Sequence, residues 1–482
     1  MTLRFHYFTS AKELAAIIFL LLVQGALIFW YEYHYRLEQR QWTEETIRIG
    51  FKPSHRVDAV LSPYGPGLDR ELVDLFCSRN DLTPVWVEVQ DYRQGLEKLI
   101  NHDLHLLLPV PGMQIPEVKA LKKGPVYMEG SFLVLHNQWR YPLRDLEDLC
   151  STEVVVPGRS AFDKILQDMR QVLQCELEPS KRPDPGKDFF NALAERRFRF
   201  GIKDEKNYMF WKSLYPEVRR SASLDKTYAL SWLWSSDYMN LDHKFQDFWR
   251  DIKDSGVLEG IQEKYLGFYP ETQDPYELRY FQQTLINELP KYADTIREVS
   301  QRYNLDPLFL VAIIYQESRF DPGATSHTGV RGLMQITAQT AEFLGIEDRL
   351  DPHQSIAGGA RYLYKLGERM DRIGITSWDK WFMALAAYNQ GLGHVYDART
   401  LAERHGFNPD SWSGLKKAYP LLSYKEYYQT VRRGYARGYE AVNFVENVRY
   451  YYSILYGQAL LPGFEAEHLG GFLDLVPSDW PQ

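Results

Sequence analysis

The sequence predicts a multidomain protein in which an α/β unit is followed by a mainly α-helical unit. The first observation is the length, because 482 residues suit about three units of roughly 150 residues each. The second is that strand-like and helix-like patterns alternate from residue 46 to residue 269, as they do in α/β proteins. The third is that strand-like patterns end at about residue 280, where apolar helical segments take over.

These patterns divide the chain into five segments. They are an apolar N-terminal segment at 1–35, the α/β unit at 46–269, a linker at 270–279, the helical unit at 280–465 and a C-terminal tail at 466–482.

Composition argues against two classes of protein. Lys and Arg number 56 against 64 Asp and Glu, which gives a formal net charge of −8 and disfavours a nucleic-acid-binding protein with a basic surface. The cysteines, Cys77, Cys150 and Cys175, are too few for a disulfide scaffold and too widely spaced for a CxxC metal site. A Cys150–Cys175 bridge is compatible with an oxidising compartment, and buried free thiols are the alternative.

The N-terminal segment bears on the compartment. Residues 14–30 form an apolar run that only Gln24 interrupts, and several aromatic residues follow it. About 17 residues is the lower limit for crossing the hydrocarbon core, and aromatic side chains favour the membrane interface. We therefore expect an uncleaved signal anchor within 1–35, with cleavage near 23–25 or a buried helix as alternatives. An anchor or a cleaved signal would place the rest of the chain in the periplasm, at the inner membrane or peripherally at the outer membrane.

The α/β unit is predicted from short strands that are separated by helical stretches. Strand-like segments lie at 46–51, 85–89, 104–108, 132–135, 154–156, 200–202 and 228–232. A helical pattern follows the first strand at 68–76, and a long amphipathic segment at 241–265 closes the unit. Such alternation predicts mostly parallel sheet, and roughly 220 residues are enough for two lobes.

The most informative helix of the helical unit begins at Asp306-Pro307. An Asp N-cap followed by Pro is typical of a helix start, and the apolar run 308–315 predicts a buried helix. Near its end, Glu317 shares a face with Ile313 and Ile314, four and three residues earlier. Aliphatic surroundings raise the pKa of a carboxyl group, as a general acid requires near neutral pH. A solvated surface glutamate is the alternative.

Three further motifs follow this helix. Residues 324–336 form a loop with two glycines, residues 381–393 a buried helix that ends in polar residues and glycines, and residues 439–452 a helix with one apolar face. Taken singly, each motif is compatible with an ordinary helix and its cap. Their order is Glu-Ser, Gly-Leu-Met-Gln, Ala-Tyr-Asn-x-Gly and Phe-Val-x-Asn. In that order they resemble the soluble lytic transglycosylase family, which has a lysozyme-like catalytic domain.

This resemblance, which covers about residues 280–460, implies a cell-wall enzyme. Members cleave the β-1,4 bond between N-acetylmuramic acid and N-acetylglucosamine in peptidoglycan and leave a 1,6-anhydromuramyl end. Glu317 would protonate the leaving oxygen and then act as the base for the muramyl 6-hydroxyl. The substrate-binding residues that the family position implies are Ser326, Met334, Gln335, Tyr388 and Asn389.

Two of these positions also have a purely structural interpretation. Met334 is also compatible with the core, and Ser326 with an ordinary turn. Phe444 stands where relatives often carry Tyr, so we give it no catalytic role. No metal or other cofactor is expected, because His327 and the other histidines nearby lack ligand spacing.

The α/β unit resembles periplasmic solute-binding proteins of the family-3, amino-acid-binding type. The matching segments are 68–72, 103–106, 124–127 and 261–266. Such proteins usually clamp the ligand carboxylate with an Arg, whereas Glu117 lies near that position here, so we expect free amino acids to bind weakly. A muropeptide or peptide stem is the preferred ligand, and a purely structural or allosteric role is the alternative.

The order of the two units resembles one subgroup of membrane-bound lytic murein transglycosylases. The resemblance implies peptidoglycan strands as the main partner, together with the membrane, and no nucleic acid. Two alternatives stay open, a catalytically silent sensor of muropeptides and a solute-binding protein that serves a transporter. The intact Glu317 and its flanking motifs favour the enzyme.

Overall fold

A computed structural model describes most of the chain. The described residues are 21–28, 45–57, 61–115, 119–150, 152–156, 159–179, 187–270, 274–327, 329–460 and 467–481. In the predicted anchor, residues 21–28 are helical and exposed, and the rest of 1–35 lies outside the described residues. Within the described ranges, every helix is too short or too polar to cross a membrane.

The α/β unit contains two five-stranded sheets, one in each lobe. The strands are β1 (Thr46–Phe51), β2 (Thr83–Glu88), β3 (Leu106–Leu107), β4 (Leu121–Lys123), β5 (Met128–Asn137), β6 (Glu153–Val155), β7 (Glu178–Pro179), β8 (Phe200–Asp204), β9 (Val218–Leu230) and β10 (Leu233–Ser235). The first sheet has the order β2-β1-β3-β10-β4 and the second the order β7-β6-β8-β5-β9. The prediction of two α/β lobes is therefore confirmed.

Helices cover the sheets of both lobes. The α-helices are Leu68–Arg79, Tyr92–Ile100, Arg159–Leu173, Lys187–Ala194, Glu205–Trp211, Met239–Asp254 and Val257–Leu266, and a 3₁₀ helix spans Leu146–Leu149. The single amphipathic segment predicted at 241–265 is wrong in one respect, because the chain forms two helices there. Gly256 between them has a φ of 74°, a left-handed conformation that ends the first helix.

The prediction of mostly parallel sheet is also wrong. The pairs β1–β2, β1–β3, β6–β7 and β6–β8 are parallel, but β10 is antiparallel to β3 and β4, and β5 is antiparallel to β8 and β9. The chain enters β5 and β10 from the opposite lobe. A strand reached in this way lacks the helical crossover that a parallel neighbour requires, so either direction is available to it.

The two lobes are joined by two adjacent chain segments. The amide of Gly124 donates to the carbonyl of Trp232 at 2.9 Å, and the amide of Tyr127 donates to the carbonyl of Leu230 at 3.0 Å. These bonds pair the outgoing and returning segments across the junction between the lobes.

The helical unit follows directly. Its α-helices are Pro275–Asn287, Leu289–Tyr303, Pro307–Ser318, Ala338–Leu344, Pro352–Asp371, Ser377–Gln390, Leu392–Arg404, Trp412–Ala418, Lys425–Tyr428, Gly438–Leu460 and Glu467–Leu473, with a 3₁₀ helix at Tyr419–Ser423. The first of them begins inside the segment expected as a linker. The last lies in the segment expected as a tail, where the side chains of Leu469, Phe472 and Trp480 are buried.

The α/β unit packs closely on the helical unit. The hydroxyl of Tyr64, fully buried, donates to the backbone carbonyl of Arg449 at 2.6 Å. Its ring contacts Phe268 of its own unit and Trp378 of the other, at centroid distances of 5.0 and 4.9 Å. Lys416 of the helical unit also donates to the carbonyl of Gly267 at 2.7 Å. These contacts fix the α/β unit against the helices behind the candidate site.

The structure decides between the two states left open for the cysteines. Cys150 and Cys175 form a disulfide with a Cα–Cα distance of 5.7 Å, and Cys77 is a free, buried thiol. The bridge joins the end of the 3₁₀ helix, three residues before β6, to the segment before β7. It therefore links the chain segments that lead into two neighbouring strands at one edge of the second sheet.

Candidate active site

The helix that carries Glu317 spans Pro307–Ser318, and its start is as predicted. Asp306 accepts hydrogen bonds from the amides of Leu308 and Phe309 at 2.7 and 3.3 Å, and Pro307 is the first helical residue. The Asp306 carboxyl also accepts the Tyr452 hydroxyl at 2.6 Å. Burial raises the pKa of Asp306 to about 6, although these hydrogen bonds stabilise the charged carboxylate and act to lower the pKa. The cap thus ties the Glu317 helix to the helix at Gly438–Leu460.

The Glu317 side chain is half-buried at the far end of this helix. Ile313 and Ile314, on its face, are fully buried. The carboxyl group makes no hydrogen bond or ion pair with any residue in the described part of the chain. Burial raises its pKa from an ordinary 4.5 to about 8, because desolvation disfavours the charged form. The carboxyl group is therefore protonated at neutral pH.

The backbone turns sharply just after Glu317. Arg319 and Phe320 have φ values of 52° and 64°, a left-handed conformation that costs a residue other than glycine roughly 1 kcal/mol or more. The Ser318 hydroxyl donates to the carbonyl of Leu333 at 2.9 Å. This bond fixes the helix end to the loop that carries the predicted substrate-binding residues.

Glu277 also fixes this helix end. Its Oε1 accepts the Tyr315 hydroxyl at 2.8 Å, and its Oε2 accepts Nη2 of Arg319 at 2.8 Å. The Tyr451 hydroxyl donates to Oε1 at 3.2 Å. Glu277 was not predicted from the sequence, since it lies in the expected linker and no motif marks it. Only its three partners, far away in sequence, reveal it.

Residues 324–327 and 329–336 belong to a loop that is bound to Ser318, the residue after Glu317. The Gln335 side chain donates to the carbonyls of Gly332 and Ala324 at 2.9 and 3.1 Å, and its φ is 46°. Ser326 is half-buried, and its amide donates to the carbonyl of Val330 at 3.0 Å. Gly332 has a φ of +80°, and a Cβ there would lie 1.9 Å from the carbonyl oxygen of Arg349. Only glycine fits this turn.

The structure places Met334 in the core. Its side chain is fully buried and packs against Gly359, where an added Cβ would lie 2.5 Å from the Met334 Cε. Its backbone carbonyl accepts the Tyr388 hydroxyl at 2.8 Å. A direct contact between the Met334 side chain and substrate is therefore disfavoured, and the core alternative fits this burial.

Tyr388 and Asn389 approach from the end of the Ser377–Gln390 helix. The pKa of Tyr388 is raised well above its ordinary value, first by burial and next by the charge of Glu317. Asn389 is exposed, and its Oδ1 accepts Nε2 of Gln390 at 3.0 Å. The bonds from Ser318 to Leu333 and from Tyr388 to Met334 thus attach the loop that carries Ser326 and Gln335 to the ends of the two helices that carry Glu317 and Tyr388. Asn389 follows Tyr388 and is exposed.

The other acidic side chains near this loop stabilise turns, cap a helix or are exposed to solvent. Asp321 accepts the amide of Gly323 at 2.9 Å, and Asp348 accepts that of Leu350 at 2.9 Å. Asp351 caps the helix at Pro352–Asp371 by accepting the amide of Gln354 at 2.7 Å. Glu342 is exposed on its helix. Across the described ranges, no set of three His, Cys, Asp or Glu residues is arranged to hold a metal ion.

Comparisons with known proteins cover both units. The family model of the Transglycosylase SLT domain matches residues 294–410. A protein of Hahella chejuensis named membrane-bound lytic murein transglycosylase F is 34% identical over 338 residues, which are 70% of this chain and 66% of that protein. The protein of the same name from Vibrio parahaemolyticus is 31% identical over 433 residues, 85% of this chain and 81% of that protein.

A third relative and a solved structure complete the comparison. The Yersinia pestis protein of the same name is 33% identical over 393 residues, 81% of this chain and 80% of that protein. The structure of an ancestral arginine-binding protein bound to arginine aligns with 47% of this chain and 100% of that chain, at 16% identity and a TM-score of 0.39.

Proposed function

Because the chain belongs to the membrane-bound lytic murein transglycosylase F family, we propose that it cleaves the MurNAc-β-1,4-GlcNAc bond of peptidoglycan and leaves 1,6-anhydromuramyl ends. The observation that carries this proposal is the half-buried carboxyl of Glu317, whose pKa is raised by burial alone, with no contribution from the charge of a second carboxylate. Glycosidases that use water generally need two carboxyl groups. One group is enough when the attacking hydroxyl belongs to the substrate.

The reaction needs only the proton of Glu317. The carboxyl group donates it to the glycosidic oxygen as the bond from C1 of the muramyl residue breaks, which releases the N-acetylglucosamine 4-hydroxyl. The resulting carboxylate accepts the proton of the muramyl 6-hydroxyl while that oxygen bonds to C1. Glu317 ends protonated as it began, and no water is consumed.

The neighbouring residues would bind and orient the strand. Ser326 and Gln335 have half-buried polar side chains on the loop that Ser318 binds, and Asn389 offers an exposed amide that suits an acetamido group of the sugar. The Tyr388 hydroxyl is held by its bond to the carbonyl of Met334, so its ring would line the site in a fixed orientation. Met334 would contribute through that carbonyl.

Product analysis tests this proposal. Purified full-length protein is incubated with murein sacculi, and the soluble products are separated and weighed by mass spectrometry. We expect the main products to be lighter than hydrolysed muropeptides by the mass of one water molecule. Products with reducing muramyl ends as the main species would contradict the proposal, because they require attack by water. No product at all, with the folded protein bound to murein, would favour the silent sensor.

We also propose a ligand class for the α/β unit. Glu117 lies outside the described residues, but Arg56 lines a small cavity between the lobes together with residues such as His55, Met128 and Phe210. Arg56 is paired with Asp69 at 2.8 Å and donates to the carbonyl of Pro109 at 2.9 Å. A cation already neutralised in this way is a poor clamp for a free carboxylate. A muropeptide or peptide stem that modulates the enzyme is our preferred ligand.

Calorimetry tests this ligand class. We expect millimolar or weaker binding of free amino acids such as alanine and glutamate to the full-length protein, and tighter binding of a muropeptide. Micromolar binding of a free amino acid would contradict the expectation.

The family name supports attachment to the membrane, and we propose that the segment at 1–35 provides it. We expect the intact protein to be extracted from membranes only by detergent.

A further inference from the structure

The turn at 430–434 is held by a buried carboxylate. Asp397 is only 3% exposed, and its oxygens accept the backbone amides of Arg432 and Arg433 at 3.1 and 2.8 Å. Arg404 donates to the carbonyl and hydroxyl of Thr430 at 3.2 and 2.9 Å. Gly434, with a φ of 82°, ends the turn. The backbone of the two arginines is therefore fixed from both sides.

The side chain of Arg433 lies against the chain that follows the candidate active site. A Cβ added to Gly393 would be 2.8 Å from both Cγ and Nε of Arg433, so the arginine covers this glycine directly. Gly393 is four residues after Asn389, a span of at most about 14 Å between the two Cα atoms. Arg433 thus packs on the first turn of the Leu392–Arg404 helix, which begins three residues after Asn389.

The charges of the two arginines are not neutralised. Both side chains are exposed, and neither forms an ion pair or hydrogen bond with a residue of the described chain. Other arginines nearby are paired, since Arg399 contacts Asp410 and Arg437 lies 3.2 Å from Glu440. A fixed backbone that carries two consecutive, exposed arginines is suited to an external carboxylate, which one guanidinium group can bind with two parallel hydrogen bonds.

We propose that Arg432 and Arg433 bind a carboxylate of the peptide stem on the murein strand being cleaved. This inference rests on the proposed function, because it takes murein as the substrate. The sugars of the strand are largely uncharged, whereas its peptide stems carry free carboxylates. A cationic pair held against the start of the Leu392–Arg404 helix, close in sequence to Asn389, therefore favours strands whose stems carry free carboxylates.

Binding in a background that cannot react tests the proposal. Each variant is combined with Glu317→Gln, and co-sedimentation is measured with intact sacculi and with sacculi whose stem carboxylates have been converted to neutral amides. We expect the Glu317→Gln protein to bind the murein with free carboxylates about tenfold more tightly, as one or two charged hydrogen bonds allow. Adding Arg432→Ala and Arg433→Ala should bring this ratio to about one. Adding Arg369→Ala, at an exposed and unpaired arginine of the Pro352–Asp371 helix, should leave it unchanged.

Two further measurements separate a specific contact from a general loss. Arg432→Lys with Arg433→Lys should give an intermediate ratio, because lysine keeps the charge but not the paired hydrogen bonds. Higher salt should lower the ratio for the arginine protein, since the contact is exposed. The proposal is overturned if the alanine protein keeps the full ratio, or if it loses affinity for both kinds of murein equally. The proposed reaction is judged separately, from the products of the wild-type enzyme.

Discussion

Arg449 of the helical unit donates through Nη1 to Oε1 of Glu263 in the α/β unit at 2.6 Å, and the arginine is completely buried. The same guanidinium contacts Glu446 at 3.0 Å and lies over the ring of Phe382 at 4.3 Å. Because this cation is fully desolvated between two carboxylates, the stability of the junction between the two units depends on the arginine and on both carboxylates.

Replacing Arg449 by Met should therefore destabilise the protein strongly. The change leaves Glu263 and Glu446 facing each other, with only Lys416 to offset them at 3.4 and 3.3 Å. Breaking a buried pair by removing one partner costs about 3–5 kcal/mol, which urea unfolding would measure. Arg437→Met, which breaks the exposed pair with Glu440, serves as the control and should change little. Equal stability of the two variants would show that the junction pair is unimportant.

Replacing Glu317 by Gln should abolish cleavage. Gln keeps the shape of the side chain but cannot donate a proton, and positioned proton transfer is worth about 10²–10⁴ in rate. Release of soluble muropeptides from sacculi measures the effect, and co-sedimentation should show that murein is still bound. Glu342→Gln, at an exposed position on a neighbouring helix, is the matched control with normal activity. A Glu317→Gln enzyme within threefold of wild type would refute the assigned role.

The activity should fall at alkaline pH. Glu317 must be protonated to donate a proton to the glycosidic oxygen, and burial holds its pKa at about 8. kcat/KM, which reports the free enzyme, should therefore decrease about tenfold per pH unit above that value and level off below it. Initial rates on a soluble glycan between pH 5 and 10 provide the test. A decrease that begins near pH 5 would mean that the carboxyl group is not desolvated in solution.

The same pKa makes a prediction about stability. The folded-state pKa of Glu317, about 8, lies above its ordinary 4.5, so protonation favours the folded state. This contribution is complete below about pH 4.5 and is lost as the pH rises through 8. Because Gln does not ionise, Glu317→Gln should gain stability relative to wild type between pH 5 and pH 8. Urea unfolding at both pH values measures the difference, which should be absent for Glu342→Gln.

Removal of the disulfide should lower the stability of the second lobe. Cys150 and Cys175 are 25 residues apart, and closing a loop of that length is worth about 3 kcal/mol through the entropy of the unfolded chain. Cys150→Ala with Cys175→Ala should unfold at lower urea concentration, and dithiothreitol should affect only the wild-type protein. Identical unfolding of the wild-type protein with and without reductant would contradict this expectation.

The sequence alone was sufficient wherever neighbours along the chain decide the structure. Asp306 caps the helix through the amides of the next few residues, and the apolar run that follows it makes the helix buried whatever surrounds it. The position of Glu317 relative to Ile313 and Ile314 is a consequence of helical periodicity. The raised pKa of Glu317 was predictable for this reason, as was the α/β pattern before it.

The tertiary structure decided what depends on residues far apart in sequence. Glu277 reaches Arg319 across 42 residues, and Arg449 reaches Glu263 across 186, and no local pattern encodes either contact. The direction of β5 and β10 depends on how the chain crosses between lobes, and the burial of Met334 depends on the absence of a side chain at Gly359. Capping and periodicity act over one helical turn, whereas these features arise only when distant elements pack and exclude water between them.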